Sequence, residues 1–120
     1  MDSNFFLLNN DNLVPRDQVR LERITATPFA DRRRIKVEVE VTPFRERPDL
    51  EIVIYDAAGR IVASSSVIAS MQFKMEFNLH LRKMSDPAGD YTVQVQLYYE
   101  DIQSPQDTRA TTITIPPNHG

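Results

Sequence analysis

Along much of the chain, apolar and polar side chains alternate one by one. Ile35, Val37, Val39 and Val41 interleave with Arg34, Lys36, Glu38 and Glu40. A period of two belongs to a strand with one face on a core and the other in water. The longest such run lies over residues 71–81. Met71, Phe73, Met75, Phe77, Leu79 and Leu81 share one face there, and Gln72, Lys74, Glu76, Asn78 and His80 share the other. On a helix those six apolar residues would be spread around the cylinder, so the pattern predicts a strand. The same test predicts strands through Leu50, Ile52 and Ile54, through Tyr91, Val93, Val95, Leu97 and Tyr99, and through Ile113 and Ile115. A shorter strand over residues 60–65 follows Asp56-Ala57-Ala58-Gly59, a hairpin signal. Near the start, Val19 and Leu21 share one parity while Ile24 and Ala26 share the other. That change of face predicts a bulge or a strand that switches sheets.

About seven strands result, with no convincing helical period between them. Prolines punctuate the chain at positions 28, 43, 48, 87 and 105, where a missing N–H breaks no ladder. The expected fold is all-β, an immunoglobulin-like Greek-key sandwich of antiparallel strands. Residues 17–116 form the sandwich, residues 1–16 an amino-terminal extension and residues 117–120 a tail. Tyr91 directly follows the turn Pro87-Ala88-Gly89-Asp90 and stands at the first inward position of its strand. In Greek-key sandwiches a tyrosine near the start of the sixth strand bonds back to the preceding connection through its hydroxyl. Tyr91 is expected to do so, with Asp90 satisfying free N–H groups in the turn.

Two stretches carry a resemblance, "LEIVIYDAAGRIV" at 50–62 and "PAGDYTVQVQL" at 87–97. Together they resemble the immunoglobulin-like and fibronectin-III-like sandwiches of bacteria, and are especially similar to the immunoglobulin-like domain of flagellar hook-capping proteins. Those domains carry a strand, an "IYD–xxG–R" hairpin, then an "AG–x–Y" turn and strand. The resemblance implies a sandwich fold and a structural or protein-binding role. It supplies no catalytic residues to carry over.

Composition narrows the chemistry. The 120 residues suffice for one domain, and a net charge of −3 provides no basic field to attract nucleic acid or an anionic membrane. The absence of cysteine excludes disulfides, thiolate zinc sites and thiol catalysis. No apolar run approaches the roughly 18 residues of a membrane span. The start, "MDSNFFLLNNDN", has an acid where a signal peptide has basic residues, so a chain that is complete as given is expected to remain in the cytoplasm. His80 falls on the outward face of its strand and His119 in the tail, neither beside an evident partner. Asn9 to Asn12 offer oxygen ligands, but Leu13 and Val14 occupy positions that a calcium loop requires. Three glycines, at 59, 89 and 120, cannot build a phosphate-cradling loop. No catalytic, cofactor-binding or metal-binding residue is expected, and no cofactor.

Two surface features remain. Arg32, Arg33 and Arg34 form a basic cluster at a strand start that could contact an anion, or could simply protect an edge in water. Val53 and Tyr55 on the third strand and Tyr98 on the sixth take the outward parity, with Thr112 and Thr114 on the seventh. Neighbouring strands would gather these into one interaction surface for a protein partner or a second copy, or would merely stiffen the sheet. Phe5 to Leu8 are too apolar to lie free in water, and could pack in cis or swap in trans. The expectation is a non-enzymatic interaction or structural module that could self-associate through the tyrosine-bearing sheet face or through an edge strand. The alternative is a carbohydrate-binding or adhesin-like accessory domain.

Overall fold

The computed structural model describes residues 13–118. Residues 5–8, residues 9–12 and His119, about which the sequence raises questions, lie outside this range. A single turn of 3-10 helix at Arg16–Gln18 precedes seven strands. These are β1 (Leu21–Pro28), β2 (Arg34–Val41), β3 (Asp49–Asp56), β4 (Ile61–Val67), β5 (Lys74–His80), β6 (Gly89–Tyr98) and β7 (Asp107–Ile115). One sheet has the order β1-β2-β5 and the other β4-β3-β6-β7, every ladder antiparallel. The connections β2–β3, β4–β5 and β5–β6 pass from one sheet to the other. This is the immunoglobulin-like β-sandwich that the alternation predicts.

The core lies between the sheets. Ile35, Val37 and Val39 of β2 face Leu50, Ile52 and Ile54 of β3 and Val93, Val95 and Leu97 of β6, and all of them are fully buried. The parity change in β1 is a bulge. Leu21 pairs with Val41 and Arg23 with Glu40, so Glu22 is the extra residue. The extra residue lets Leu21 and Ile24 both face inward although their spacing is odd.

The run at 71–81 is shorter as a strand than its alternation implies. The ladder to β2 covers Lys74 to His80, with one further backbone bond at each end, from the Val41 N–H to the Phe73 carbonyl and from the Leu81 N–H to the Arg33 carbonyl. Met71 is 75% exposed, because the chain is still crossing between the sheets there. Asp49 Oδ1 accepts from the Ala69 N–H at 2.7 Å and the Pro48 carbonyl accepts from the Ser70 N–H at 2.8 Å, while Ala69 turns the chain at φ +51°. Pro28 also differs from expectation. It is the last residue of β1, opposite Ile35, and is tolerated because β1 is an edge strand.

The two flanks of the sandwich are closed differently. On the β1/β7 flank, Asp107 Oδ2 accepts from the Leu21 N–H at 2.8 Å, and Gln106 Nε2 donates to the carbonyls of Arg16 and Val19. On the β4/β5 flank, the Arg82 N–H donates to the Val62 carbonyl at 2.8 Å near one end of β4.

Candidate functional site

The connection before β6 explains the position of Tyr91. Its ring is buried and its hydroxyl donates to the Pro87 carbonyl four residues upstream at 2.7 Å. The tyrosine corner read from the sequence is present. Burial, with Asp56 and Asp86 nearby, pushes the Tyr91 phenol above its ordinary value. The acid that satisfies the turn is a different one. Asp86 Oδ1 accepts from the Ala88 N–H at 3.0 Å, whereas Asp90 accepts from the Thr114 hydroxyl across the ladder at 2.7 Å. An aspartate two residues before a donor can close an Asx turn; Asp90 already lies in the strand.

The three arginines sit where β1 turns into β2. Arg32, at φ +61°, donates to the Pro116 carbonyl at 2.8 and 3.1 Å and approaches Asp86 at 3.4 Å. Arg33 donates to the Met84 carbonyl at 2.6 Å. Arg34 pairs with Asp31 at 2.7 Å and stacks on Phe29. Each guanidinium thus binds its own chain, and an anion arriving here competes with those partners.

The four strands of the larger sheet order the other candidates into cross-strand rows. Ile61, Tyr55, Thr92 and Thr112 form one row across β4, β3, β6 and β7. Ser64, Val53, Gln94 and Ala110 form the next. The Tyr55 hydroxyl donates diagonally to Gln94 Oε1 at 3.3 Å. These two adjoining rows hold no charged side chain. The following row, Ser66, Glu51, Gln96 and Thr108, brings in a carboxylate, to which the Ser66 hydroxyl donates.

Tyr98 does not join Tyr55. It lies on the same face but opposite Asp49, whereas Tyr55 lies opposite Thr92. Six residues along β6 separate the two places, roughly 20 Å at strand rise. Tyr98 is also only 8% exposed, and burial with Asp49 and Glu51 beside it raises its phenol pKa. Parity assigns the face but does not count distance along the strand. The sequence therefore groups five residues, of which Tyr55, Thr112 and the largely buried Val53 are brought together, while Thr114 lies opposite Asp90. Alternation on β4 is broken by a bulge between Ile61 and Ala63, so the place of Ile61 beside Tyr55 is not evident from the sequence.

The outer face of the smaller sheet has the opposite character. Arg23, Glu40 and Lys74 form one row, bonded at 3.7 and 3.5 Å, and Thr25, Glu38 and Glu76 the next. His80 lies exposed at the end of this face, opposite Arg34. No group of three or more histidine, aspartate or glutamate side chains is arranged to hold a metal ion among the described residues.

No protein-family model matches the chain, and no curated protein matches it. Solved structures do. A β-glucuronidase of Bifidobacterium dentium superposes with a TM-score of 0.61 at 20% identity over 82% of this chain and 18% of that one. A putative β-galactosidase of Bacteroides fragilis gives 0.58 at 18% identity, over 82% of this chain and 18% of that one. The chicken interferon gamma receptor alpha chain gives 0.60 at 9% identity, over 81% and 51%. The chain spans less than a fifth of either glycosidase chain. At these identities the likeness shows a shared fold, a β-sandwich domain that recurs inside bacterial glycosidases and an animal receptor alike.

Proposed function

We propose that the chain is a non-catalytic immunoglobulin-like module that binds a protein through the uncharged rows around Tyr55. One observation carries the reading. The two outer faces of one sandwich differ, the smaller sheet being laced with ion pairs and the larger carrying eight adjoining residues without charge. Charge depletion with a central aromatic is the composition of interface cores, and a rigid tyrosine contributes area at little rotamer cost. The resemblance to hook-capping domains supports a structural role within a larger assembly.

A photo-crosslinking residue at Thr92, on the uncharged face, is expected to capture a protein in the native host. The same residue at Glu38, on the charged face, is expected to capture none. Tyr55→Ser should reduce the Thr92 product at least tenfold. Equal capture from both faces would remove this surface from consideration.

The glycosidase neighbours favour a second reading, an accessory domain of a carbohydrate-acting protein. It is tested by a glycan array with the same Tyr55→Ser variant. Glycan binding lost in the variant would replace the protein-binding reading with this one.

A further inference from the structure

We infer that the chain forms a two-fold dimer by antiparallel pairing of the open stretch of β4, residues 63–67, with the same stretch of a second copy. This deepens the interaction-module reading and rests on it, but it uses the sheet's edge rather than its face.

The edges of the two sheets are not equally protected. β1 carries a bulge at Glu22 and ends on Pro28. β5 carries Lys74 and Glu76. β7 carries Asp107, already bonded to Leu21, and Arg109. Charges, prolines and bulges of this kind are how native sheets discourage edge pairing. β4 reads Ile-Val-Ala-Ser-Ser-Ser-Val, with no charge, proline or glycine, and its one bulge, at Val62, lies before the stretch that remains open. Its carbonyl at Val62 is taken by Arg82, which leaves Ala63 to Val67 as the open stretch.

The surroundings favour a second copy over an unrelated strand. The exposed large hydrophobic residues among those described are Ile61 at 47%, Ile68 at 71% and Met71 at 75%. Ile61 is the first residue of β4 and Ile68 directly follows its last. Antiparallel pairing about Ser65 sets Ser64 opposite Ser66 and Ala63 opposite Val67. The same register sets Ile68 of each copy at the level of Val62 of the other, one position from Ile61, at the margin of the stretch that Arg82 leaves open. The apolar pair is thus made twice by one two-fold axis, as an isologous contact requires.

Charge agrees with that arrangement. Arg82 and Lys83 line the same surface hollow as Ile61, where Asp56 is paired with Arg60, and Glu76 lines the hollow that holds Ile68 and Met71. The two-fold axis places the cationic end of one copy against the anionic end of the other. The contact is a single short strand pair, smaller than stable interfaces of roughly 1,200 Å² or more, so the dimer is weak, with Kd on the order of tens to hundreds of micromolar.

Sedimentation equilibrium of the full chain across that concentration range tests the proposal. The expected result is a monomer–dimer equilibrium that Ile68→Lys and Ser64→Lys each weaken at least tenfold. Both positions are exposed, and circular dichroism confirms that each variant folds. A monomer at every concentration overturns the dimer. So does a dimer that neither variant weakens, and a dimer lost only in Tyr55→Ser would transfer the contact to the sheet face. Crosslinking from Thr92 to a host protein reports on the module reading separately, whichever result sedimentation gives.

Discussion

The Tyr91 hydroxyl is the clearest case of one atom fixing a connection. Pro87 is buried, and its carbonyl accepts from that hydroxyl. Removing the hydroxyl in Tyr91→Phe leaves a buried carbonyl without this donor, which costs about 1–3 kcal/mol. A urea melt should show that loss as a lower midpoint with unchanged slope. Turn aspartates behave as a second group. Asp56 accepts from the Arg60 and Ala58 N–H groups, Asp31 from those of Arg33 and Arg34, and Asp86 from that of Ala88. In each the backbone bond is the leading cause that holds the carboxyl below its ordinary value of 3.8. A carboxylate with a lowered folded-state pKa contributes stability above its unfolded value and loses it as pH falls through the folded one. Thermal midpoints should therefore be flat down to about pH 4 and fall below it. Asp56→Asn should fall less steeply. At this scale the sequence was legible where residue type and spacing coincide, as at Tyr91. It was misread at Asp90, because two aspartates flank the turn and only geometry shows which one reaches the free N–H.

Elements were legible to the extent that alternation continues without interruption. β2 alternates throughout, and β3 and β6 do so except at Val53 and Tyr98, which are buried on the outward face; all three lie in the middle of their sheets, so their inward positions were read correctly. Met71 keeps the alternation of β5, yet pairing with β2 begins only at the Phe73 carbonyl, which accepts from the Val41 N–H, because crossing between sheets is set by Ala69 and its bonds to the β3 start. Hydrophobic period alone does not mark where pairing begins. The β6 start shows how strictly a boundary can be held. Gly89 has φ +138°, a conformation open essentially to glycine, although a Cβ there would touch nothing within 4 Å. The cost of Gly89→Ala is therefore conformational, about 1–3 kcal/mol. The measurement is a denaturant melt beside Ala88→Ser, a neighbouring substitution that carries no such backbone penalty. Equal stability of the two variants would count against the strain.

For the whole molecule, the closure of one flank by side chains makes a separate expectation. Gln106 holds two carbonyls of the segment before β1, and Asp107 holds the Leu21 N–H. Gln106→Ala combined with Asp107→Ala should detach the start of β1 from β7. Amide exchange at Leu21 is expected to quicken at least tenfold, while the central β3–β6 ladder keeps its protection. Uniform acceleration across both sheets would mean that this flank supports the entire fold. None of these long-range bonds was evident from the sequence, since they join residues 86 to 90 positions apart and follow no period. The contrast between the two outer faces was half legible. Alternation identified the outward residues, but the cross-strand rows depend on register, and register depends on the bulges in β1 and β4.

The chain enters the sandwich beside the β2–β3 connection, where Val14 bridges Phe44, and leaves it at the far end, where the Pro116 carbonyl meets Arg32. Entry and exit therefore lie at opposite poles, and a pull on the two ends runs along the strands. Under such tension β1 and β7 would slide against their neighbours, with all the rungs of each ladder resisting together instead of unzipping one at a time. Mechanical toughness along this axis follows from where the first and last strands sit, whatever the molecule is attached to.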